Sequence, residues 1–332
     1  MATVFLNGDF VSRDAAMVSA FDAGLQHGVG LFETLLAARN DEGWNVIHSR
    51  EHLDRLIVSA RTLGLSESLR LSALEEAVAR TVVKAGEDLS ATGVDAQRLR
   101  VRLTITGGDL NLLEQGRSAG SSMSESRGPT VLVVASPATN YPREMFERGV
   151  GVVVGDLKAN PLDPYAGHKT LNYWPRLREL QIAAGKRAGE ALIFQVTNHL
   201  AGGCVSNAML IKDDVLITPI ARGEEDEIAR GEEDESETPG MQRTSGATMP
   251  SPVLPGVVRR WAMEQATAQG LDIERRMVTI QDVFEADELL LTNSSWGVLP
   301  VVRVEREAIG DGMVGPVAKA LCGAWESMVR EG

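Results

Sequence analysis

The stretch RLRVRLTIT, residues 98–106, alternates without a break. Leu99, Val101, Leu103 and Ile105 take one face of a strand, while Arg98, Arg100, Arg102 and Thr104 take the other, because successive side chains on extended backbone point to opposite sides. A strand with one apolar face and one polar face belongs to a sheet covered on a single side. The cover is legible upstream. Leu53, Leu56, Ile57, Ala60 and Leu63 share one helical face, with Ser49 read as the N-cap. A second helix is expected from about Ser72, where Ser72 and Glu75 make a capping box. TVLVVAS at 130–136 supplies another strand. TVFL and DFV, at 3–6 and 9–11, read as a hairpin turning at Asn7-Gly8.

A polar, glycine- and serine-rich loop is expected over 107–129. Beyond it, strands are predicted near 150–155, 191–195, 204–211, 215–218, 287–292 and 298–304. Helices are predicted near 173–186, 254–269 and 314–329. This mixture predicts two α+β domains: residues 1–138, a proline-bearing linker at 139–147, and residues 148–332. No long-period repeat points to a solenoid.

The 332 residues are 43% hydrophobic, enough for two cores. No apolar run approaches the roughly 20 residues that span a bilayer, and MATVFLNGDF lacks a basic region followed by an apolar core. Two cysteines without a CxxC pair argue against a disulfide framework or cysteine-rich metal site, so a cytoplasmic setting is expected. The net charge of −13 argues against general nucleic-acid binding. Much of it is local. Residues 220–235 read IARGEEDEIARGEEDE, an octapeptide repeated unchanged, taken as a tolerated surface insertion spanning about 221–252. An acidic docking segment is the alternative.

Three motifs are set aside. HSREH at 48–52 matches a zinc pattern, but a Ser49 cap leaves His48 outside the helix, and no third ligand is signposted. HGVGLFE at 27–33 has Glu33 where a dinucleotide fingerprint needs glycine. GHKT at 167–170 has His168 where a P-loop needs glycine. No metal is expected.

Lys169 lies between ANPLDPYAG, extended by its prolines and glycine, and Asn172, a candidate N-cap with Pro175 in the first turn. A desolvated lysine at such an element end can attack a carbonyl to form a Schiff base. A solvated lysine at a helix start fits these residues too, and locally fits them better.

Several motifs together shift that balance. FLNGDFV, FDAGLQHGVGLFETL, EHLDRLIVSARTLGL, RLRVRLTIT, HKTLNYWPRL, GCVSNAMLIKDDVLITP, LPGVVRR, ADELLLTNSSWGVLPV and GPVAKAL resemble, in order and over nearly the whole chain, the class IV aminotransferases. These are pyridoxal 5'-phosphate enzymes of fold type IV, and include branched-chain and D-amino-acid aminotransferases and 4-amino-4-deoxychorismate lyases. The resemblance implies an N-terminal α/β sandwich-like domain and a C-terminal barrel-like α+β domain carrying the lysine. It also implies a homodimer.

It further implies roles. Lys169 matches the Schiff-base lysine, which also moves the proton at the substrate Cα. Arg55 matches the arginine that grips the cofactor phosphate. Tyr173 resembles the tyrosine near the cofactor's phenolic oxygen. Val257 and Val258 fall where backbone N–H groups meet the phosphate at a helix start. Ser294 falls where a hydroxyl contacts it, and Ser206 and Asn207 match the S-N of the strand motif.

This chain also departs from the family. Gly202 stands where a glutamate usually holds the pyridine nitrogen protonated, and no carboxylate occurs from 191 to 212. Val258 replaces a threonine. His27 and Val29 stand where Tyr and Asp are common. Arg100-Val101-Arg102 is neither the R-x-H of D-amino-acid enzymes nor a tyrosine-x-arginine. The expected function is amino-group transfer between an amino acid and a 2-oxo acid. The alternatives are β-elimination of 4-amino-4-deoxychorismate to 4-aminobenzoate and pyruvate, and a non-catalytic or weakly active pyridoxal-phosphate-binding homologue.

Overall fold

The computed structural model describes residues 3–109, 128–225 and 249–331. The loop expected over 107–129 and the acidic repeat therefore lie largely outside the described residues. The chain forms two compact units. The first comprises Met1–Asn140, His168–Tyr173 and Met328–Gly332, and the second comprises Tyr141–Gly167 and Trp174–Ser327.

In the first unit β1 (Thr3–Leu6) and β2 (Asp9–Ser12) form the expected hairpin, with Asn7 and Gly8 both at positive φ. β3 (Gly30–Asn40), β4 (Gly43–Val46), β5 (Arg98–Thr106) and β6 (Val131–Pro137) complete an antiparallel sheet of order β2-β1-β6-β5-β3-β4. Leu99, Val101, Leu103 and Ile105 are fully buried, as the alternation requires. They join a core with Leu53, Leu56 and Ala60 of α2 (Ser49–Thr62) and Val78 and Val82 of α3 (Leu71–Ala91). Each such leucine contributes roughly 1.5–3 kcal/mol by leaving water. Two caps differ from expectation. His48, in the left-handed region, precedes α2, and Ser49 is its first helical residue. α3 starts at Leu71 after Arg70 with no side-chain cap, so the Ser72–Glu75 box does not form. The short α1 (Ala23–His27) is capped by Asp22, which also accepts from Thr106 and Thr130 hydroxyls at 2.7 Å each.

The second unit is built on a mixed sheet of order β12-β11-β10-β13-β14-β7-β8-β9, with β15 (Glu307–Ala308) pairing β14. Its strands are β7 (Val150–Ala159), β8 (Glu190–Gln195), β9 (Leu200–Gly203), β10 (Asn207–Lys212), β11 (Val215–Pro219), β12 (Asp272–Arg276), β13 (Glu288–Asn293) and β14 (Gly297–Val304). β9 ends the sheet, yet only residues 204–206 separate it from β10, which lies well inside the order. Joining them by so short a turn curls the sheet into a half-barrel. The strand expected over 204–211 is thus broken at 204–206. The helices are α4 (Glu144–Glu147), α5 (Trp174–Gly185), α6 (Val257–Ala268), α7 (Ile280–Glu285) and α8 (Pro316–Glu331). Trp261 of α6 packs edge-on against Trp325 of α8, centroids 5.1 Å apart.

Candidate active site

The lysine segment is a short strand in all but name. Phe32 N–H donates to the Lys169 carbonyl at 2.9 Å, Leu171 N–H donates to the Gly30 carbonyl at 2.9 Å, and Thr170 pairs antiparallel with Leu31. Residues 168–173 thereby cluster with the first unit. Gly30 makes the approach feasible, because a Cβ there would strike the Ile105 carbonyl and the Leu171 side chain.

The side chain of Lys169 enters an aromatic corner. Its Nζ lies 4.6 Å from the Phe32 ring centroid and 5.8 Å from that of Tyr173. Those two rings pack edge to face, 5.1 Å apart. The Arg102 guanidinium also sits over the Phe32 ring, 3.4 Å from its centroid. Burial lowers the Arg102 pKa to about 10, against opposing help from Tyr173. Its hydrogen bond runs from Nε to Thr104 Oγ1 at 3.4 Å, and no carboxylate pairs with it among the described residues. A desolvated guanidinium without an acid is costly, so this corner is ready for an anion.

Behind the sheet, α2 presents His52, Arg55 and Ser59 on one face by their spacing of three and four. Arg55 grips Glu33 through Nε at 2.8 Å and NH2 at 2.7 Å, and His52 Nδ1 meets the same carboxylate at 2.8 Å. Burial pushes the Glu33 pKa up, but the Arg55 charge and the His52 hydrogen bond outweigh it and hold the carboxyl well below the usual range. Burial pushes His52 below its ordinary value, against the upward pull of Glu33. Nδ1–H of a neutral His52 therefore donates to ionised Glu33, which accounts for the HSREH histidine as an arginine support. Further along the face, Ser59 Oγ lies 2.9 Å from His168 Nδ1.

The other expected residues lie in the second unit. Gly256 caps α6, whose first N–H groups, those of Val257 and Val258 among them, have no intrahelical acceptor. A Cβ at Gly256 would run into Asn207 Oδ1, and Asn207 Nδ2 donates to the Leu254 carbonyl at 2.8 Å. Asn207 therefore shapes the helix entry. Asn293 does the same for its neighbours. It donates to the Val205 carbonyl at 3.2 Å and accepts from Ser295 and Trp296 N–H at 2.9 and 3.1 Å, which frames Ser294 and the strand end before Ser206. Thr292, buried opposite Asn207, has a hydroxyl with no hydrogen-bond partner among the described residues.

Gly202 has φ +133°, and a Cβ there would lie 2.8 Å from the Ser206 carbonyl oxygen. The backbone thus has no room for a glutamate at this position. A carboxylate does arrive from the neighbouring strand, one residue outside the empty 191–212 window. Glu190, fully buried, accepts from the N–H groups of Cys204 and Val205 at 3.1 and 3.3 Å and from Ser206 Oγ at 3.1 Å. Burial raises its pKa. Its oxygens are occupied by the 204–206 turn, so it supports Ser206 from behind.

Sequence reading picked out Arg55, Lys169 and Tyr173, which share the first unit. It missed Phe32, Arg102, Glu33, His52, Ser59 and His168 around them. Arg102 alone carried a signal, as a cation on the polar face of a strand whose other face is core.

These residues suit an aldehyde cofactor bearing a phosphate. Within the first unit Lys169 offers an amine and Arg55 a fixed charge; the second unit, taken by itself, offers N–H groups at the start of α6, where Asn207 leaves Gly256 no room for a side chain. A carboxylate at 202 is the missing feature. A family model described as amino-transferase class IV matches residues 30–225 and 236–304. A Methanocaldococcus jannaschii protein assigned as a branched-chain-amino-acid aminotransferase is 26% identical over 96% of this chain and 93% of its own length. The Escherichia coli branched-chain amino acid aminotransferase structure superposes with a TM-score of 0.78 at 21% identity, covering 99% of this chain and 95% of the other. The 4-amino-4-deoxychorismate lyase of Pseudomonas aeruginosa does so with a TM-score of 0.69 at 23% identity, covering 98% of each.

Proposed function

Because the chain belongs to the class IV aminotransferase family, we propose that it is a pyridoxal 5'-phosphate-dependent aminotransferase, moving an amino group between an amino acid and a 2-oxo acid. The placement of Lys169 carries this reading. Its backbone is bonded to β3 and its amine lies over the Phe32 and Tyr173 rings. Lys169 would hold the cofactor covalently, and Arg55, the α6 start at Val257 and Val258, and the Ser294 and Ser206 hydroxyls would hold its charged and polar groups. When bound, the cofactor supplies the electron sink for a negative charge at the substrate Cα.

The protein's own groups do the rest. The Lys169 amine would move the proton at the substrate Cα. Tyr173 keeps its place against Phe32. Arg102, half-buried and without an acid partner, suits a substrate carboxylate. Glu33, itself bonded to His52, holds Arg55 in place. On the family pattern, the enzyme works as a cytoplasmic homodimer. No helix among the described residues is long and apolar enough to cross a membrane.

One observation favours a second reading, a weakly active pyridoxal-phosphate-binding homologue. Gly202 has no room for the glutamate that would keep the pyridine nitrogen protonated. A panel of amino donors and 2-oxo acids, assayed alongside 4-amino-4-deoxychorismate, separates the readings. Amino-group transfer above the rate of free cofactor supports the proposal. Pyruvate release from the chorismate derivative alone replaces it with the lyase, and no turnover by fully loaded protein replaces it with the weakly active homologue.

A further inference from the structure

We propose that Ser59 and His168 form a positioning pair that selects the register of the lysine segment, so that helix α2 serves as one template for both Arg55 and the Lys169 amine. The inference rests on the reading of Lys169 as the amine that holds the cofactor.

Side chains on a paired segment alternate between faces, and a slip of one residue turns every one over. On β3, Glu33 reaches α2 through Arg55 and His52, so its neighbour Phe32 points the other way. On the paired segment 168–171 the same alternation holds. His168 reaches α2 through Ser59 at 2.9 Å, and Lys169 lies over Phe32 on the far face. A one-residue slip would carry Lys169 to the α2 side and His168 to the aromatic corner. The backbone bonds of Phe32 N–H to Lys169 O and of Leu171 N–H to Gly30 O involve groups that every residue has, so they hold a strand without identifying which residue faces where. The Ser59–His168 contact does identify it. Ser59 is buried, so its hydroxyl is not exchanged freely for water, and the contact with His168 at 2.9 Å gives that hydroxyl a fixed partner. Arg55 and Ser59 lie four residues apart on α2, one turn along the helix. The same helix face that fixes the guanidinium through Glu33 thus fixes the segment from which the amine projects.

Capture of pyridoxal 5'-phosphate tests the pair. The Lys169 amine condenses with the aldehyde, forming a carbon–nitrogen double bond and releasing one water. The rate of that capture is read by stopped-flow visible absorbance on the full chain stripped of cofactor. Phosphate grip is read separately, as the affinity for pyridoxine 5'-phosphate, which lacks the aldehyde. Ser59→Ala should slow capture roughly tenfold, the worth of one hydrogen bond to a buried group. It should leave the pyridoxine 5'-phosphate affinity within about twofold of the native value, and Ser59→Thr, which keeps the hydroxyl, should restore most of the rate. Capture at the native rate in Ser59→Ala, or an equal loss of rate and affinity, overturns the proposal. If Ser59→Ala does not fold, His168→Asn in the same two assays reads the contact from its partly buried end, with the same expected split and the same overturning results. Native protein that captures no cofactor at all defeats the functional reading instead, and the two failures are told apart by the unmutated chain.

Discussion

Replacing Glu33 by glutamine removes one charge from a buried group of three. Glu33 is 1% exposed, accepts from Arg55 at 2.8 and 2.7 Å, and meets His52 at 2.8 Å. The Arg55 side chain is 12% exposed, so glutamine leaves its charge largely desolvated and takes away the carboxylate charge it grips. Breaking a buried pair by removing one partner costs about 3–5 kcal/mol. The lower end applies here, because the amide keeps one acceptor oxygen for Arg55. About 3 kcal/mol in a unit of about 150 residues lowers its Tm by about 6–12 °C. Differential scanning calorimetry of the cofactor-free protein near neutral pH measures this. A fall of less than about 2 °C would refute the reasoning.

The pH dependence supplies a second check on the same group. The folded pKa of Glu33 lies below its ordinary 4.5, so its stabilisation is complete above that value and is lost as the pH falls beneath it. The folded pKa of His52 also lies below its ordinary 6.5, so the unfolded chain binds its proton first and stability falls as the pH drops below 6.5. Glu33→Gln should flatten the limb below 4.5 and keep the one that begins near 6.5.

Three further outcomes are expected. Arg102→Gln should raise the KM for carboxylate-bearing substrates at least tenfold, the worth of a hydrogen bond to a charged group, with Tm unchanged or higher because a half-buried unpaired charge is gone; an unchanged KM would count against Arg102 as the carboxylate partner. Gly202→Ala should cost about 1–3 kcal/mol in denaturant titration, since φ is +133° and the new Cβ meets the Ser206 carbonyl oxygen; a neutral substitution would contradict the described turn. Excising residues 226–248 with a short Gly-Ser join should leave turnover unchanged, because Arg222 N–H already bonds the Val253 carbonyl at 2.9 Å across the base of the insertion; a large loss would assign the acidic repeat a role.

What the sequence revealed follows from where each residue finds its partners. Residues 98–106 were readable because one face is core and the other is not, which writes a period of two into the chain. β3 was not, although it is the longest strand of its sheet. It is buried on nearly every residue, so no polar alternation marks it. The capping box at Ser72 was a local pattern overridden by packing, which draws Leu71 into the helix. Lys169 itself was legible only through the ordered motifs, because its immediate neighbours fit a surface lysine better. Its surroundings, Arg102 apart, were not legible, since Phe32 meets it and Ser59 meets the adjoining His168 across long sequence separations. The same holds for Glu190. It reaches the 204–206 turn from the adjacent strand, and a scan confined to the residues around Gly202 stops one short of it. The Asn207 side chain bonds the Leu254 carbonyl and so shapes the entry to α6, a contact 47 residues away that no local motif announces.

The central claim is that Lys169 is the amine that holds pyridoxal 5'-phosphate. Borohydride reduction of the cofactor-loaded full-length protein, followed by digestion and mass spectrometry of the peptides, tests it directly. The account predicts a single phosphopyridoxyl group on Lys169 and visible absorbance that disappears on reduction. Reduced cofactor on another lysine, or protein that stays colourless and unmodified at saturating cofactor, would contradict it.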